Sequence, residues 1–176
     1  MIKLAKAAAV MVDFQERLFG HMAGHERLHD RVRRLGEGLK LFEVPTLITQ
    51  QYTKGLGPTR GDLGLEGEVI EKMSFSAWRE EGFSAALRKR HKKQIILAGI
   101  EAHICLLQTA MDLIDAGYKV YIPADATASR DSLNYLNALN RLERAGAVIT
   151  NVESILFELC RTAEHEKFKA LSQIVK

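Results

Sequence analysis

Short apolar runs of strand length alternate along this chain with stretches whose apolar residues recur every three or four positions. Ala7–Val12 is apolar throughout, and Gln94–Gly99 is apolar after its first residue. Arg27–Phe42 and Ile104–Ala116 instead repeat at helical spacing. Strands that are apolar on both sides are typical of a parallel sheet with helices on both faces. The alternation therefore predicts an α/β fold with a three-layer, doubly wound, mostly parallel sheet.

The other predicted elements complete this alternation. Further short strands are predicted at Thr46–Thr49, Val69–Ile70, Val120–Ile122 and Val148–Thr150. Further helices are predicted at Ala77–Arg90, with a break possible at Gly82, at Leu133–Ala145 after a cap by Asp131 or Ser132, at Ser154–Arg161 and at Glu164–Val175. No repeat, Pro-rich linker or shift of composition divides the 176 residues, so we expect a single domain over residues 1–176.

Charge balance and cysteine count argue against several classes of protein. Twenty-five Lys and Arg against 22 Asp and Glu leave a net charge of +3, and the basic residues are interleaved with acidic ones. A nucleic-acid-binding protein usually concentrates its basic residues on one face. No apolar run approaches the about 18 residues that a membrane-spanning helix needs. We therefore expect no nucleic-acid or membrane partner. Two cysteines, too few for a disulfide framework, and the lack of a signal segment indicate a cytoplasmic protein.

Four positions are expected to share one edge of the sheet, because doubly wound folds place their sites at the carboxyl ends of strands. They are Asp13, Gln50–Tyr52, Gly99–Cys105 and Ala124–Arg130. Asp13 ends an apolar strand, where a buried charge needs a partner or a chemical role; otherwise it is a turn or cap residue. Lys72 follows a short strand and is either the partner cation or a surface lysine.

Two cysteines and a histidine complete the candidates that residue type and position indicate. Cys105 begins a predicted helix, where the dipole and free amides favour a thiolate and can stabilise an oxyanion. A small buried apolar thiol is the alternative. His103 is a candidate base or a solvated residue at a helix start, and Cys160 is predicted to be structural.

One metal motif is present in the letters of the sequence. His25-Glu26-Arg27-Leu28-His29 matches H-E-x-x-H, in which two histidines bind zinc and the glutamate acts as general base. Its charged surroundings, and its position away from any strand end, favour a solvated helix start instead. Glycine motifs for nucleotides and a G-x-S-x-G elbow are missing. A zinc peptidase on His25 and His29 is kept as an alternative enzyme class.

Three blocks in order resemble the isochorismatase-like cysteine hydrolases. They are Val10–Gln15, Lys72–Trp78 and Leu97–Cys105, the last reading Leu-Ala-Gly-Ile-Glu-Ala-His-Ile-Cys. Gln51-Tyr52 and the segment Lys54–Thr59 resemble the YcaC-like, isochorismatase-domain-containing subgroup in particular. The resemblance covers most of the chain, from the first strand to the helix at Leu133, and it implies the doubly wound fold independently of the periodicity.

The resemblance also implies a catalytic triad of Asp13, Lys72 and Cys105. Asp13 would take the thiol proton, Lys72 would hold Asp13, and Cys105 would attack a carbonyl or related carbon to give a covalent thio-intermediate. The family places a cis peptide bond before the nucleophile, here between Ile100 and Glu101. The amides of Ala102 and Cys105, with that of Glu101 as alternative, would form the oxyanion hole.

The same resemblance sets expectations for the substrate and for metals. The substrate is expected to be a small molecule with an amide-type or other carbonyl group. It is expected to lie against Gln15, Phe19, Gln51, Trp78 and His103. Nicotinamidases of the superfamily carry an Asp-His-His metal site after the second strand, whereas this chain reads Gln50-Gln51-Tyr52-Thr53 there. We therefore expect no metal and no cofactor. A non-enzymatic binding protein or thiol sensor on the same fold is the alternative function.

The C-terminal residues suggest assembly. Phe168, Leu171, Ile174 and Val175 form an apolar stripe at helical spacing, late in a chain whose sheet already has helices. Part of this stripe is expected to contact another subunit, although packing on the chain's own sheet would explain it equally well. We expect a homo-oligomer, the usual form of soluble assemblies, with Trp78 or Gln51–Gly57 near the subunit boundary.

Overall fold

A single parallel sheet of seven strands forms the centre of the molecule. The computed structural model describes all of residues 1–176. Its strands are β1 (Ala7–Val12), β2 (Thr46–Gln51), β3 (Glu68–Lys72), β4 (Gln94–Ile100), β5 (Lys119–Pro123), β6 (Thr127–Ala128) and β7 (Val148–Thr150). They run in the order β3-β2-β1-β4-β5-β7, with β6 beside β4, and every pair is parallel.

Eight α-helices connect or follow these strands. They are α1 (Glu16–Phe19), α2 (His25–Leu41), α3 (Thr53–Leu56), α4 (Glu81–Lys89), α5 (Leu107–Asp115), α6 (Ser132–Arg144), α7 (Val152–Cys160) and α8 (Phe168–Ile174). Short 3-10 turns cover Leu4–Lys6, Gly61–Leu63, Ala77–Arg79 and Ala124–Ala126, and a π-helical turn covers Ala102–Leu106. None of the helices combines the length and the apolarity that crossing a bilayer requires.

The sheet has a hydrophobic core on each face, which confirms the predicted three-layer fold. Along β1, Ala7, Ala9 and Met11 belong to one core, and the residues between them belong to the other. Helices α2, α7 and α8 cover the first face, while α4, α5 and α6 cover the second. All six residues of β1 are buried, as expected of a central strand whose two faces are both covered.

A glycine allows the two central strands to meet closely at their carboxyl ends. Gly99 of β4 pairs with Val12 of β1. A Cβ at position 99 would lie 2.4 Å from Val12 Cβ and 2.6 Å from its carbonyl oxygen, which is closer than packed atoms approach. The strand ends therefore bring Asp13, directly after β1, next to the turn that follows β4.

Most predicted elements form within a few residues of their expected bounds, and two differ for visible reasons. The predicted helix Ala77–Arg90 breaks at Glu80, which is extended, rather than at Gly82. The last helix begins at Phe168 instead of Glu164, because Thr162–Lys167 makes turns, one of them with His165 Nδ1 accepting from the Lys167 amide. Asp131 is the cap of α6, since its carboxylate accepts from the amides of Leu133 and Asn134.

The apolar stripe of α8 packs on the chain's own core, which is the alternative explanation given above, so the stripe alone does not argue for assembly. Leu171 is fully buried, and Phe168, Ile174 and Val175 pack against the core beneath α2 and α7. The ring of Phe168 also lies 6.4 Å from that of Phe157. A terminal helix needs one buried face, and α8 finds it on its own sheet.

Candidate active site

Asp13 and Lys72 form an ion pair inside the protein. Lys72 ends β3 and Asp13 follows β1, and the two side chains are both completely buried with 2.8 Å between Lys72 Nζ and Asp13 Oδ2. Asp13 adopts a left-handed conformation at φ 54° that turns the chain away from the sheet. Its other oxygen, Oδ1, accepts a 2.7 Å hydrogen bond from the Thr49 hydroxyl of β2.

Lys72 lies among four oxygens. Besides Asp13 Oδ2 at 2.8 Å, its ammonium has Gln51 Oε1 at 2.6 Å, Phe75 O at 3.1 Å and Ser74 O at 3.3 Å within reach. An ammonium group has three N–H donors, so Asp13 Oδ2 shares them with three competing acceptors. Oδ2 has no other polar partner in the chain.

Cys105 lies beside this pair, in the π-helical turn that follows β4. The peptide bond between Ile100 and Glu101 is cis, as the resemblance implies. Burial, and after it the charge of Asp13, raise the pKa of the Cys105 thiol to about 12, although the charge of Lys72 opposes the rise. The expectation that the helix start would favour a thiolate is wrong for the free protein, because burial and the neighbouring carboxylate outweigh the helix dipole.

A small cavity opens onto the thiol. Its volume is about 130 Å³, and it is lined by Asp13, Leu18, Gln51, Leu56, Phe75, Glu101, Ile104 and Cys105. The structure thus brings Asp13, Gln51, Glu101 and Cys105 together at one cavity, with Lys72 directly behind Asp13. The four apolar lining residues, Leu18, Leu56, Phe75 and Ile104, were not among the predicted site residues, because they lie on short helices and turns whose placement spacing does not determine.

Glu101 is held by the loop that follows β6. Its carboxylate Oε2 accepts hydrogen bonds from the backbone amide of Arg130 at 2.9 Å and from Arg130 Nε at 3.1 Å. Glu101 itself is only 5% exposed. These contacts tie the turn that carries Cys105 to the loop after β6.

The segment Lys72–Trp78 is hydrogen-bonded to α5. The Ser76 hydroxyl donates to Asp112 Oδ2 at 2.7 Å, and Asp112 also pairs with Arg79 at 3.1 Å. The Ala77 amide donates to the Thr109 hydroxyl at 2.9 Å. These polar residues of α5 were not among the predicted site residues; their spacing of three on one helix face was the available signal.

Two residues predicted to bind substrate make contacts within the protein instead. The Gln15 side chain is fully buried, and its amide bonds to the backbone N and O of Gln51 and to Gly57 O, leaving no group for a ligand. Phe19 is 1% exposed in the core, where its ring packs against Phe14 and His29, and its neighbour Leu18 faces the cavity instead.

Two more predicted residues lie outside the cavity of the single chain. The Trp78 ring packs edge-on against Tyr118 and under the guanidinium of Arg88, because the Ala77–Arg79 turn sits on α5 rather than over Cys105. His103 is in the same turn as Cys105, but its Nδ1 is 3.0 Å from the Ser129 hydroxyl, on the side facing the loop after β6.

The H-E-x-x-H segment forms the first turn of α2 and does not assemble a metal site. His29 Nε2 lies 3.2 Å from Asp62 Oδ2, and Asp62 also pairs with Arg60. His25 is exposed, and no group of three His, Cys, Asp or Glu side chains in the chain is arranged around one point. His25 and Glu26 are thus residues of a solvated helix start, and His29 is a partner of the Gly61–Leu63 turn.

Comparison with known proteins places this geometry in a family. The Isochorismatase domain model matches residues 7–154. Isochorismatase domain-containing protein 1 of Danio rerio is 40% identical over 146 residues, which are 82% of this chain and 52% of that protein. The chain therefore spans about half the length of this curated relative.

Solved structures with the same fold cover the whole chain. The MAR1 ribonuclease of Caenorhabditis elegans superposes with a TM-score of 0.93 at 32% identity, over 99% of this chain and 91% of that one. The YcaC gene product of Escherichia coli, described as an octameric hydrolase of unknown specificity, has a TM-score of 0.92 at 25% identity, over 98% and 88%.

Proposed function

Because this chain belongs to the isochorismatase family and has that family's hydrolase fold, we propose that it is a cysteine hydrolase with Cys105 as nucleophile. Asp13 is the general base and Lys72 its counter-charge. The observation that carries this proposal is the fully buried pair of Asp13 and Lys72 beside a thiol whose pKa is raised, chiefly by burial, to about 12. A thiol that is neutral at rest needs a base in the same step, and the Asp13 carboxylate is one.

The proposed reaction has two halves. As Cys105 Sγ bonds to the carbonyl carbon of the substrate, the thiol proton passes to Asp13 Oδ2. The carbon–nitrogen or carbon–oxygen bond then breaks, the leaving group takes that proton, and a thioester remains on Cys105. Water attacks the thioester and gives a proton to Asp13, which returns it to the thiolate as the acid product leaves.

Lys72 serves Asp13 as its counter-charge. An isolated carboxylate inside a protein would be strongly destabilised, and an ammonium 2.8 Å away offsets that cost. A carboxylate oxygen has two lone pairs, so its contact with Lys72 leaves one that can accept the thiol proton. The backbone amides of Ala102 and Cys105, with that of Glu101 as alternative, are the proposed donors to the oxyanion.

The cavity favours a small, uncharged substrate. Its volume of about 130 Å³ is well below the roughly 300–1,000 Å³ of sites for drug-sized ligands. Two carboxylates, Asp13 and Glu101, line it, and no lysine or arginine does. Both carboxylates are already paired, Asp13 with Lys72 and Glu101 with Arg130, so an anionic group next to the reacting carbon would find no unpaired cation, and a compact amide, ester or N-carbamoyl compound fits best.

An activity screen tests this function. Small neutral amides, esters and N-carbamoyl compounds are compared with carboxylate-bearing analogues, and RNA is included because the nematode structure is named a ribonuclease. We expect turnover of a neutral compound that falls at least about a thousandfold in Cys105→Ala and is unchanged in the matched control Cys160→Ala. Turnover that survives in Cys105→Ala would contradict the proposal, and no turnover of any compound would favour a binding protein on this fold.

The thiol-sensor alternative receives less support from the site. Redox-sensing cysteines are exposed and have a low pKa. Cys105 is 6% exposed, and its pKa is raised rather than lowered.

We also propose that the chain is a homo-oligomer, as the E. coli YcaC structure is. The supporting feature is a set of large exposed apolar side chains on the segments that carry Gln51 and Lys72, namely Tyr52, Met73 and Phe75. Two leucines of α6, Leu133 and Leu136, are exposed as well. Light scattering coupled to gel filtration is expected to give a multiple of 19.7 kDa, and a mass of one chain at micromolar concentration would contradict this.

A further inference from the structure

A second cavity lies at the carboxyl edge of the sheet, beyond the ends of β5, β6 and β7. Its volume is about 470 Å³, which falls within the usual range for small-molecule sites. The first turns of α2 and α6, the loop after β5, strand β6 and the residue before α7 form its walls. None of Asp13, Lys72 and Cys105 lines it, so the proposed hydrolase site leaves it without a role.

Three helices begin at this cavity, and only one of them lacks a side-chain cap. Asp131 caps α6, and Asn151 caps α7 by accepting from the Ser154 amide at 2.8 Å. Helix α2, which is 17 residues long, begins after Gly24 with no side-chain hydrogen bond to its first amides. Uncapped first-turn amides and the positive end of a long helix favour an anion.

An unsatisfied side chain points to a ligand independently of the helix. Thr127 lines the cavity and is 4% exposed, and its hydroxyl Oγ1 has no hydrogen-bond partner. A buried hydroxyl is nearly always hydrogen-bonded in folded proteins, because leaving it unpaired costs free energy. An oxygen of a bound ligand would supply the missing acceptor.

The charges around the cavity leave one cation free. Arg27 lines the cavity, is exposed, and makes no ion pair within the chain. The lining carboxylate, Asp125, is already engaged: its Oδ1 accepts from the Val152 amide at 2.9 Å, and its Oδ2 is 3.8 Å from Arg31 Nε. An incoming anion would therefore meet Arg27 without having to displace a carboxylate partner.

We propose that this cavity binds a small organic anion. Its phosphate or carboxylate group lies at the first turn of α2, between the guanidinium of Arg27 and the hydroxyl of Thr127. The volume exceeds that of a bare anion, and Leu28, Ala124 and Ala128 provide apolar walls for an organic body.

Titration of the isotope-labelled protein, followed by the backbone amide NMR signals, tests this site. Phenyl phosphate and benzoate are the probes, and their relative affinities distinguish a phosphate from a carboxylate ligand. Benzyl alcohol is the neutral control of similar shape. We expect saturable shifts at Gly24–Arg27 and at Thr127 with one or both anions, and binding of benzyl alcohol at least about tenfold weaker.

Two variants and a matched control make the test specific. Arg27→Gln is expected to weaken anion binding about tenfold, and Thr127→Val about fivefold. Because the Thr127 hydroxyl is unpaired in the free protein, Thr127→Val should leave the melting temperature of that protein unchanged or higher. Arg144→Gln, which removes an unpaired arginine at the far end of α6, should leave binding unchanged.

Four outcomes would overturn the proposal. They are no saturable shift with either anion at millimolar concentration, shifts centred on the amides around Cys105 instead, equal binding of benzyl alcohol, and equal effects of Arg27→Gln and Arg144→Gln.

Discussion

The two cavities at the carboxyl edge of the sheet differ in how their polar groups are satisfied. At Cys105, the charges of Asp13 and Lys72 are buried and paired beside a thiol. At the cavity of β5–β7, Arg27 has no partner and the Thr127 hydroxyl has none either. Paired buried charges suit proton transfer in a dry site, whereas unpaired donors around a larger space suit recognition.

The difference predicts that removing a cation costs much stability at the first site and almost none at the second. Lys72→Met leaves the carboxylate of Asp13 buried without a counter-charge, so the free energy of unfolding should fall by about 3–5 kcal/mol. Arg27→Met removes an exposed, unpaired cation and should change it by less than about 0.5 kcal/mol. Urea denaturation measures both.

The double variant Asp13→Asn/Lys72→Met is the control for this pair. Since it removes both charges, it should recover much of the stability lost in Lys72→Met. Equal losses in Lys72→Met and Arg27→Met would contradict the description of the first site as a buried, mutually dependent pair.

At alkaline pH, the free energy of unfolding should depend on a different titrating group at each cavity. The Cys105 pKa is raised to about 12 in the folded protein, so the unfolded chain loses this proton first. Stability from this group is complete below the usual thiol range near pH 9 and decreases as pH rises towards 12, by about 1.4 kcal/mol per unit.

The measurement is the pH dependence of unfolding from pH 8 to 11. The slope should be shallower in Cys105→Ser, which has no group titrating there. Burial also raises the pKa of Tyr135 at the other cavity, so Tyr135→Phe should reduce the slope only above the ordinary tyrosine range near pH 10. Identical profiles for the wild type and Cys105→Ser would contradict the buried, neutral thiol.

The smallest expected effect concerns the helix starts at the second cavity. Asp131→Ala removes the carboxylate that accepts from the amides of Leu133 and Asn134, and it should lower the free energy of unfolding by about 1 kcal/mol. Ser132→Ala, one residue later and with no capping bond, should change it by less than about 0.5 kcal/mol. Thermal or urea denaturation compares the two, and equal costs would contradict the assignment of Asp131 as the cap.

The central strands could be predicted from the sequence because charged residues mark where their apolar runs begin and end. Strand β1 formed as predicted, since six apolar residues stand between Lys6 and Asp13. The start of α8 could not be located, because the turns before it contain residues that also suit a helix. The burial of the apolar stripe of α8 depends on the positions of α2 and α7, and the periodicity of the sequence does not determine those positions.

At the candidate site, too, some features could be predicted from the sequence and others could not. Motif order placed Asp13, Lys72 and Cys105 at strand ends, and strand ends of one parallel sheet meet by geometry. The cavity wall was not predictable: Trp78 packs on Tyr118, whereas Phe75, three residues earlier, faces the cavity. The raised pKa of Cys105 was missed because it depends on burial, and the helix position alone suggested the reverse shift.

The central claim is that Asp13 removes the proton from Cys105, and alkylation of the two cysteines tests it without a known substrate. The Cys105 thiol lines a cavity, while Cys160 is 1% exposed and its thiol donates to Thr162 O. Brief treatment with iodoacetamide near pH 7.5, followed by peptide mapping, should label Cys105 faster than Cys160 in the wild type. Loss of the Asp13 charge lowers the thiol pKa, which by itself would speed labelling; if Asp13 is the base that removes the proton, Asp13→Asn should nevertheless slow Cys105 alone and remove the preference. Faster labelling of Cys160, or a Cys105 rate that Asp13→Asn leaves unchanged, would contradict the account.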